Sequence, residues 1–249
     1  MGMFSDLKTE GLEDSQDRLG GFAPLETNAY EATIKVAYAG KSSGGANSIT
    51  LMADLGGREY RETIYITNKK GENFFLNKDD KTKKVPLPGF TVVDHLCLVT
   101  TDAPLSEQET EEKVVNVWDN DAKKELPKSV QVLTGLTGKK VFFGILNNLE
   151  NKSEKNAAGD YVPIADTRNV NVIDKVFHNP TKMTVVEAAS GSTEPAFFDK
   201  WVAANAGKTR DRRELKDGAT GSGGTSGKPN AGPPAAGSTS APRTSLFGK

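Results

Sequence analysis

The stretch Tyr30–Thr67, YEATIKVAYAGKSSGGANSITLMADLGGREYRETIYIT, decides the fold. Tyr30, Ala32, Ile34, Val36 and Tyr38 are apolar or aromatic at every second position, with Glu31, Thr33 and Lys35 between them. That is the period of a strand with one buried face. The loop GKSSGGAN turns the chain, and Ile49, Leu51, Ala53 and Leu55 repeat the alternation, so the two segments predict a β-hairpin with a long connection. Gly56-Gly57 makes the next turn. From Arg58 to Thr67 a third strand carries Tyr60, Ile64 and Ile66 on one face and Arg61, Thr63, Tyr65 and Thr67 on the other.

Working outward, Val92, Val93, Leu96 and Val99 fall at helical spacing after the break at Pro88-Gly89, predicting a helix over about Thr91–Val99. Further strands are expected at Lys113–Trp118, at Lys139–Leu149 and at Asn171–Phe177. Between the last two, NKSEKNAAGDYVPIADTRN is polar and reads as an excursion over the surface. In Glu194–Asn205, Phe197, Phe198, Trp201 and Val202 share a helical face, with Pro195 suited to a first turn. Five or six short strands with a helix after the third give a mainly β chain with a few helices (α+β). An OB-like small barrel fits this order, and periodicity alone leaves a β-sandwich open.

The 249 residues divide by composition. Residues 1–28 read as a charged N-terminal arm, 29–206 as the folding domain, and 207–249 as a disordered tail. The tail is almost all Gly, Ala, Ser, Thr, Pro and charged residues, too little apolar area to offset the entropy of ordering. It holds eight Lys and Arg against three Asp and Glu, so an overall charge of −1 hides a basic tail on an acidic remainder. A near-neutral total therefore does not argue against a polyanionic partner, because local patches set the field a phosphate feels.

Several chemistries are excluded by their own requirements. One cysteine, Cys97, in the apolar setting DHLCLV, allows no internal disulfide and reads as core filler. No apolar run is long enough to span a membrane, MGMFSDLKTE lacks a secretory h-region, and Asp6 stands where a myristoylation signal wants Ser or Thr. Gly40-Lys41-Ser42 resembles part of a P-loop, but Lys35 occupies the position of the first glycine and no helix follows. His95 and His178 are far apart in sequence, with His95 in the expected core helix, so neither a metal site nor a triad is indicated. We expect a protein without enzymatic activity, cofactor or metal.

What remains is the interleaving of cations and aromatics in GREYRETIYITNKKGENFF, Gly57–Phe75. A single strand of nucleic acid offers a phosphate per nucleotide and bases with open π-faces, so a general binder uses Lys or Arg along a groove and aromatic rings as stacking platforms. Arg58, Arg61, Tyr65, Lys69, Lys70, Phe74 and Phe75 supply both kinds, and Lys35, Tyr38 and Lys41 extend the track. The plainer reading is that Tyr60, Phe74 and Phe75 are core and the cations a solvated face.

These segments, with EEKVVNVWDNDAKKELP, IDKVFHNPTKMTVVEA, FFDKWVAANAGKTRDR and a Gly/Pro/Ser tail closing in SLFGK, resemble the single-stranded DNA-binding proteins of tailed bacteriophages, podoviruses in particular. The resemblance runs through nearly the whole chain and implies an OB-fold core that coats single-stranded DNA in phage replication and recombination, in the cytoplasm of the infected host. Many such proteins end in an acidic tail with a terminal aromatic. Here the tail is basic, yet it keeps an apolar tip, Leu246 and Phe247, before Lys249. These three residues suit a tethered docking peptide for a replication or recombination protein or an RNA polymerase. The RDRR run and scattered lysines are a competing means of holding phosphates.

Overall fold

The computed structural model describes residues 23–119, 122–157, 161–215 and 246–247. The three alternating segments form an antiparallel meander of β1 (Asn28–Lys41), β2 (Asn47–Asp54) and β3 (Glu59–Tyr65). A bulge between Ile34 and Val36 bends β1, as one extra residue in a ladder does. The bend lets β1 serve two neighbourhoods. Its first half, Asn28–Thr33, pairs with β8 (Lys140–Lys155), and its second half pairs with β2 while Tyr38 meets Val132 of β7 (Lys124–Leu133).

β4 (Phe74–Leu76) and β5 (Lys84–Pro86) make a separate two-stranded sheet before α1, Pro88–Thr101. α1 buries Val93, Leu96, Cys97, Leu98 and Val99 against β3, β8 and β9 (Tyr161–His178). Gly89 is required here: a Cβ on it would collide with the Tyr65 carbonyl oxygen, so the helix start is packed directly on the end of β3. β6 (Thr110–Asp119) forms a hairpin with β7, and the chain then enters the long β8–β9 hairpin.

The sheet curls around a core that includes Ile34, Leu51, Val93, Leu96, Leu136, Val141, Phe143 and Ile145. β3 and β9 share no backbone ladder. Instead the Ile173 amide of β9 donates to Oε2 of Glu62 on β3 at 2.9 Å, and the Tyr60 hydroxyl donates to the same oxygen at 2.7 Å. A second cluster forms where α3 (Phe197–Asn205) packs Phe198 and Trp201 on Phe177 and Leu146. The Trp201 indole donates to Asp174 Oδ2 at 2.8 Å and lies over Gly144, whose missing side chain leaves room for the ring.

The short α2 (Val185–Ala189) has a capping box between Thr184 and Glu187. Glu187 also accepts the Ala196 and Phe197 amides at the start of α3, so one carboxylate closes two helix ends. Cys97 is buried in α1 as expected and His95 is half-buried on the same helix, with burial lowering the His95 pKa and raising the Cys97 thiol to about 12.

The structure differs from these expectations at several points. The described parts of the polar segment, 151–157 and 161–169, are not a surface excursion; they continue β8 and β9 as a paired ladder from Asn151↔Thr167 to Lys155↔Tyr161. Most of their side chains are exposed, so backbone pairing holds them and no apolar alternation marks them. β7 was not expected, since KELPKSVQVL carries Pro127 and is largely exposed.

The domain also continues past 206. β10 (Thr209–Asp211) pairs in parallel with β8, and the Glu214 and Leu215 amides donate to Asn151 Oδ1. Part of RDRR is thus a strand of the sheet. At the other end, Leu25 and Thr27 are buried and bonded to Asn171 and Lys208, so the domain begins before 29. The first 22 residues of the arm and residues 216–245 of the tail lie outside the described residues. Among the described residues the structure is mainly β, and no helix is long and apolar enough to cross a membrane.

Candidate nucleic-acid interface

Directly paired residues of a sheet share a face. The row Tyr38, Thr50, Thr63 therefore lies on the outer face of the meander, beside the pairs Ser48–Tyr65 and Met52–Arg61. The β6–β7 hairpin stands against this face, and between the two runs an open groove of about 1040 Å³. Its floor is small and polar: Thr50 and Thr63 bond through their hydroxyls at 2.9 Å, with Ser48 and Gly40 beside them.

Two rings stand exposed in the groove from different elements, Tyr65 of β3 at 53% and Trp118 of β6 at 48%. Its charged lining is Lys41, Arg61 and Lys128 against Glu112, a positive balance in a concave site. Arg61 spans the groove: it donates to the Tyr38 hydroxyl at 3.0 Å and forms an ion pair with Glu125 of β7 at 3.3 Å. It thereby ties the hairpin to the meander. Glu112 accepts from the Ser129 hydroxyl. Lys41 and Lys128 are exposed and make no ion pair among the described residues. A smaller depression of about 390 Å³ adjoins at Arg61 and is lined also by Arg58, Glu59 and Arg168.

The ten residues expected to hold nucleic acid do not all meet here. Lys41, Arg61 and Tyr65 line the groove, and Arg58 belongs to the smaller depression, where its guanidinium donates to the Ala23 carbonyl. Lys69 lays its stem over Gly44, in the loop that continues from Lys41 and Ser42 at the groove's edge, and Lys70 is exposed beside it.

Tyr38 cannot stack on a base: it is 4% exposed, pinned between β2 and β7. Lys35 sits at the bulge of β1 and pairs with Glu59 at 3.4 Å, outside both concavities. Phe74 is half-buried beneath the Lys84 ammonium at 4.3 Å, and Phe75 is on the separate β4–β5 sheet. Neither ring lines the groove.

Conversely, Trp118 and Lys128 are groove residues that reading for local clusters passes over. The exposed phase of VVNVWD was the available signal for Trp118, while Lys128 belongs to the unexpected β7.

None of the groups with displaced pKa values, Tyr60, Glu62, His95 and Cys97 among them, lines the groove. Among the described residues no cluster of three or more His, Cys, Asp or Glu is placed to hold a metal. The tip residues Leu246 and Phe247 lie elsewhere, against Asp102 and His178, and Lys249 is outside the described residues. Compared with known proteins, the chain matches no family model and no curated protein.

Proposed function

We propose that this protein binds single-stranded DNA without sequence preference, coating and protecting it in phage DNA replication and recombination inside the infected bacterium. The observation that carries the reading is the groove in which Tyr65 and Trp118 stand exposed above a polar floor among Lys41, Arg61 and Lys128. Small hydroxyl-bearing floor residues let a backbone pass close to the sheet, the rings offer stacking surfaces to any base, and the cations follow the phosphates. With the β4–β5 and β6–β7 hairpins set aside as insertions, the order of elements supports an OB-like barrel: a meander, then a helix, then a long hairpin whose first strand returns to β1. Barrels of that kind bind along the strand 2 and strand 3 face, which is the groove's floor here. The sequence resemblance to phage single-stranded DNA-binding proteins points the same way.

The test is a titration of labelled oligo(dT), duplex DNA and RNA at two salt concentrations. Tight binding to oligo(dT), weak binding to duplex and a steep loss with salt are expected. Equal affinity for duplex and single strand, or none for either, overturns the reading.

A second reading, a phage regulatory protein that recruits RNA polymerase or replication enzymes through its C-terminal tip, rests on the apolar pair Leu246 and Phe247 at the end of a basic tail rich in Gly, Ser and Pro. Removing residues 216–249 discriminates between the two. DNA binding that survives with recruitment abolished makes the tail a docking device, and DNA binding that disappears makes it a second holder of phosphates.

A further inference from the structure

The last described residues of the chain are seated on its own core. The Phe247 ring stacks on the His178 imidazole, with centroids 4.3 Å apart and planes 24° from parallel. The Leu246 amide donates to Asp102 Oδ1 at 2.8 Å. Both side chains pack against the main core.

The receiving surface is built from fixed parts. Asp102 caps α1 in the left-handed region at φ 60°, held by its own amide on the Leu98 carbonyl. His178 closes β9, its Nδ1 bonded to the Thr181 hydroxyl at 2.8 Å and its backbone bonded to Met183 and Lys182. None of these residues lines the DNA groove.

We propose that this surface is a cradle for the chain's own C-terminal tip, and that it competes with any partner for Leu246 and Phe247. A partner that recognises an apolar pair at a chain end must grip the two side chains the cradle already covers. The tip is therefore either docked or recruiting. Thirty residues separate Leu215 from Leu246, a reach of up to about 100 Å. A fold of this size has a radius of gyration of only about 16 Å, so the tail reaches the cradle of its own chain from any exit. One stacked ring pair, one hydrogen bond and a partly covered leucine, set against closure of that loop, make a hold weak enough to exchange. The tether raises the local concentration of the tip, so a tip on the same chain outcompetes the same peptide free in solution.

The experiment measures anisotropy of a labelled APRTSLFGK peptide against full-length chains. Phe247→Ala empties the cradle and is expected to bind the peptide about tenfold or more tightly than the wild-type chain, whose own tip blocks the site. Adding Asp102→Gly, which keeps the left-handed backbone without strain and removes the acceptor, is expected to weaken the peptide again. Adding His178→Ala is expected to do the same, and His178→Phe, which keeps a ring to stack on, to restore it. Equal peptide binding by wild type and Phe247→Ala, no binding by either, or indifference to both cradle substitutions overturns the proposal. So does a concentration-dependent dimer abolished by Phe247→Ala, which would place the tip on a second copy. Oligo(dT) affinity is expected to be unchanged in Phe247→Ala, so failure of the cradle and failure of the DNA reading give different results.

Discussion

Tyr65 and Trp118 occupy the position on which the proposed DNA binding depends, exposed rings in a groove whose other aromatic, Tyr38, is locked away. Truncating either exposed ring to alanine removes a stacking surface worth about 1–3 kcal/mol, so affinity for oligo(dT) should fall roughly 5- to 150-fold at any salt concentration. Lys41→Ala and Lys128→Ala should behave differently, lowering the slope of log affinity against log salt by about 0.7 for each phosphate no longer neutralised. Fluorescence titration at three ionic strengths separates the two behaviours, and identical salt slopes in all four variants would contradict these roles.

A second residue-scale prediction concerns Glu62. Burial raises its carboxyl above the ordinary glutamate range, although the Ile173 amide and the Tyr60 hydroxyl act to lower it. A folded-state pKa above the unfolded value means the native state takes up protons, so this group adds stability as pH falls toward the ordinary range and loses it as pH rises. Glu62→Gln keeps an acceptor for both donors without the charge. Its stability advantage over wild type, read from urea midpoints at pH 7.5 and pH 5, should shrink at the lower pH. An unchanged difference would show that Glu62 does not titrate in this window.

Among the elements, the junction between the start of α1 and the end of β3 positions the groove. Gly89→Ala drives a methyl into the Tyr65 carbonyl, and the forced shift should cost about 1–3 kcal/mol. That corresponds to a thermal midpoint lower by roughly 2–12 °C. Because Tyr65 moves with that carbonyl, oligo(dT) affinity should fall as well. A variant as stable and as tight-binding as wild type would show that the helix is not packed as described.

Strands with one core face were legible in the sequence: the alternation at Ala32 and Ile34, at Ile49, Leu51 and Ala53, and at Val141, Phe143 and Ile145 marks residues that are all buried. β7 and the outer half of β8–β9 were harder. Most of their side chains are exposed, so backbone pairing holds them, and pairing leaves no periodic trace. The capping pair Thr184 and Glu187 is written in the chain as Thr-Val-Val-Glu, but its second use is not, because only the folded structure brings Ala196 and Phe197 to the same carboxylate.

The candidate site divides in the same way. Arg61 and Tyr65 were recoverable from strand phase, while burial of Tyr38 depends on Val132 of β7 arriving from a distant part of the sequence.

At the scale of the whole molecule, the two proposed roles fall on separate surfaces. The groove lies on the outer face of the meander, and the tip cradle lies where α1 ends and β9 closes. With a net charge of only −1, the proposed DNA binding rests on local concentration of cations, and affinity should collapse with added salt.

The groove claim is tested most directly by intrinsic fluorescence, because the two tryptophans report from different places: Trp118 is half exposed in the groove and Trp201 is buried on the inner face of α3. Addition of oligo(dT) should quench the emission of the wild-type protein, high salt should restore it, and Trp118→Phe should remove most of the quenching. Quenching of equal size in Trp118→Phe, or none in the wild type under conditions where the DNA is bound, would contradict a binding site between the meander and the β6–β7 hairpin.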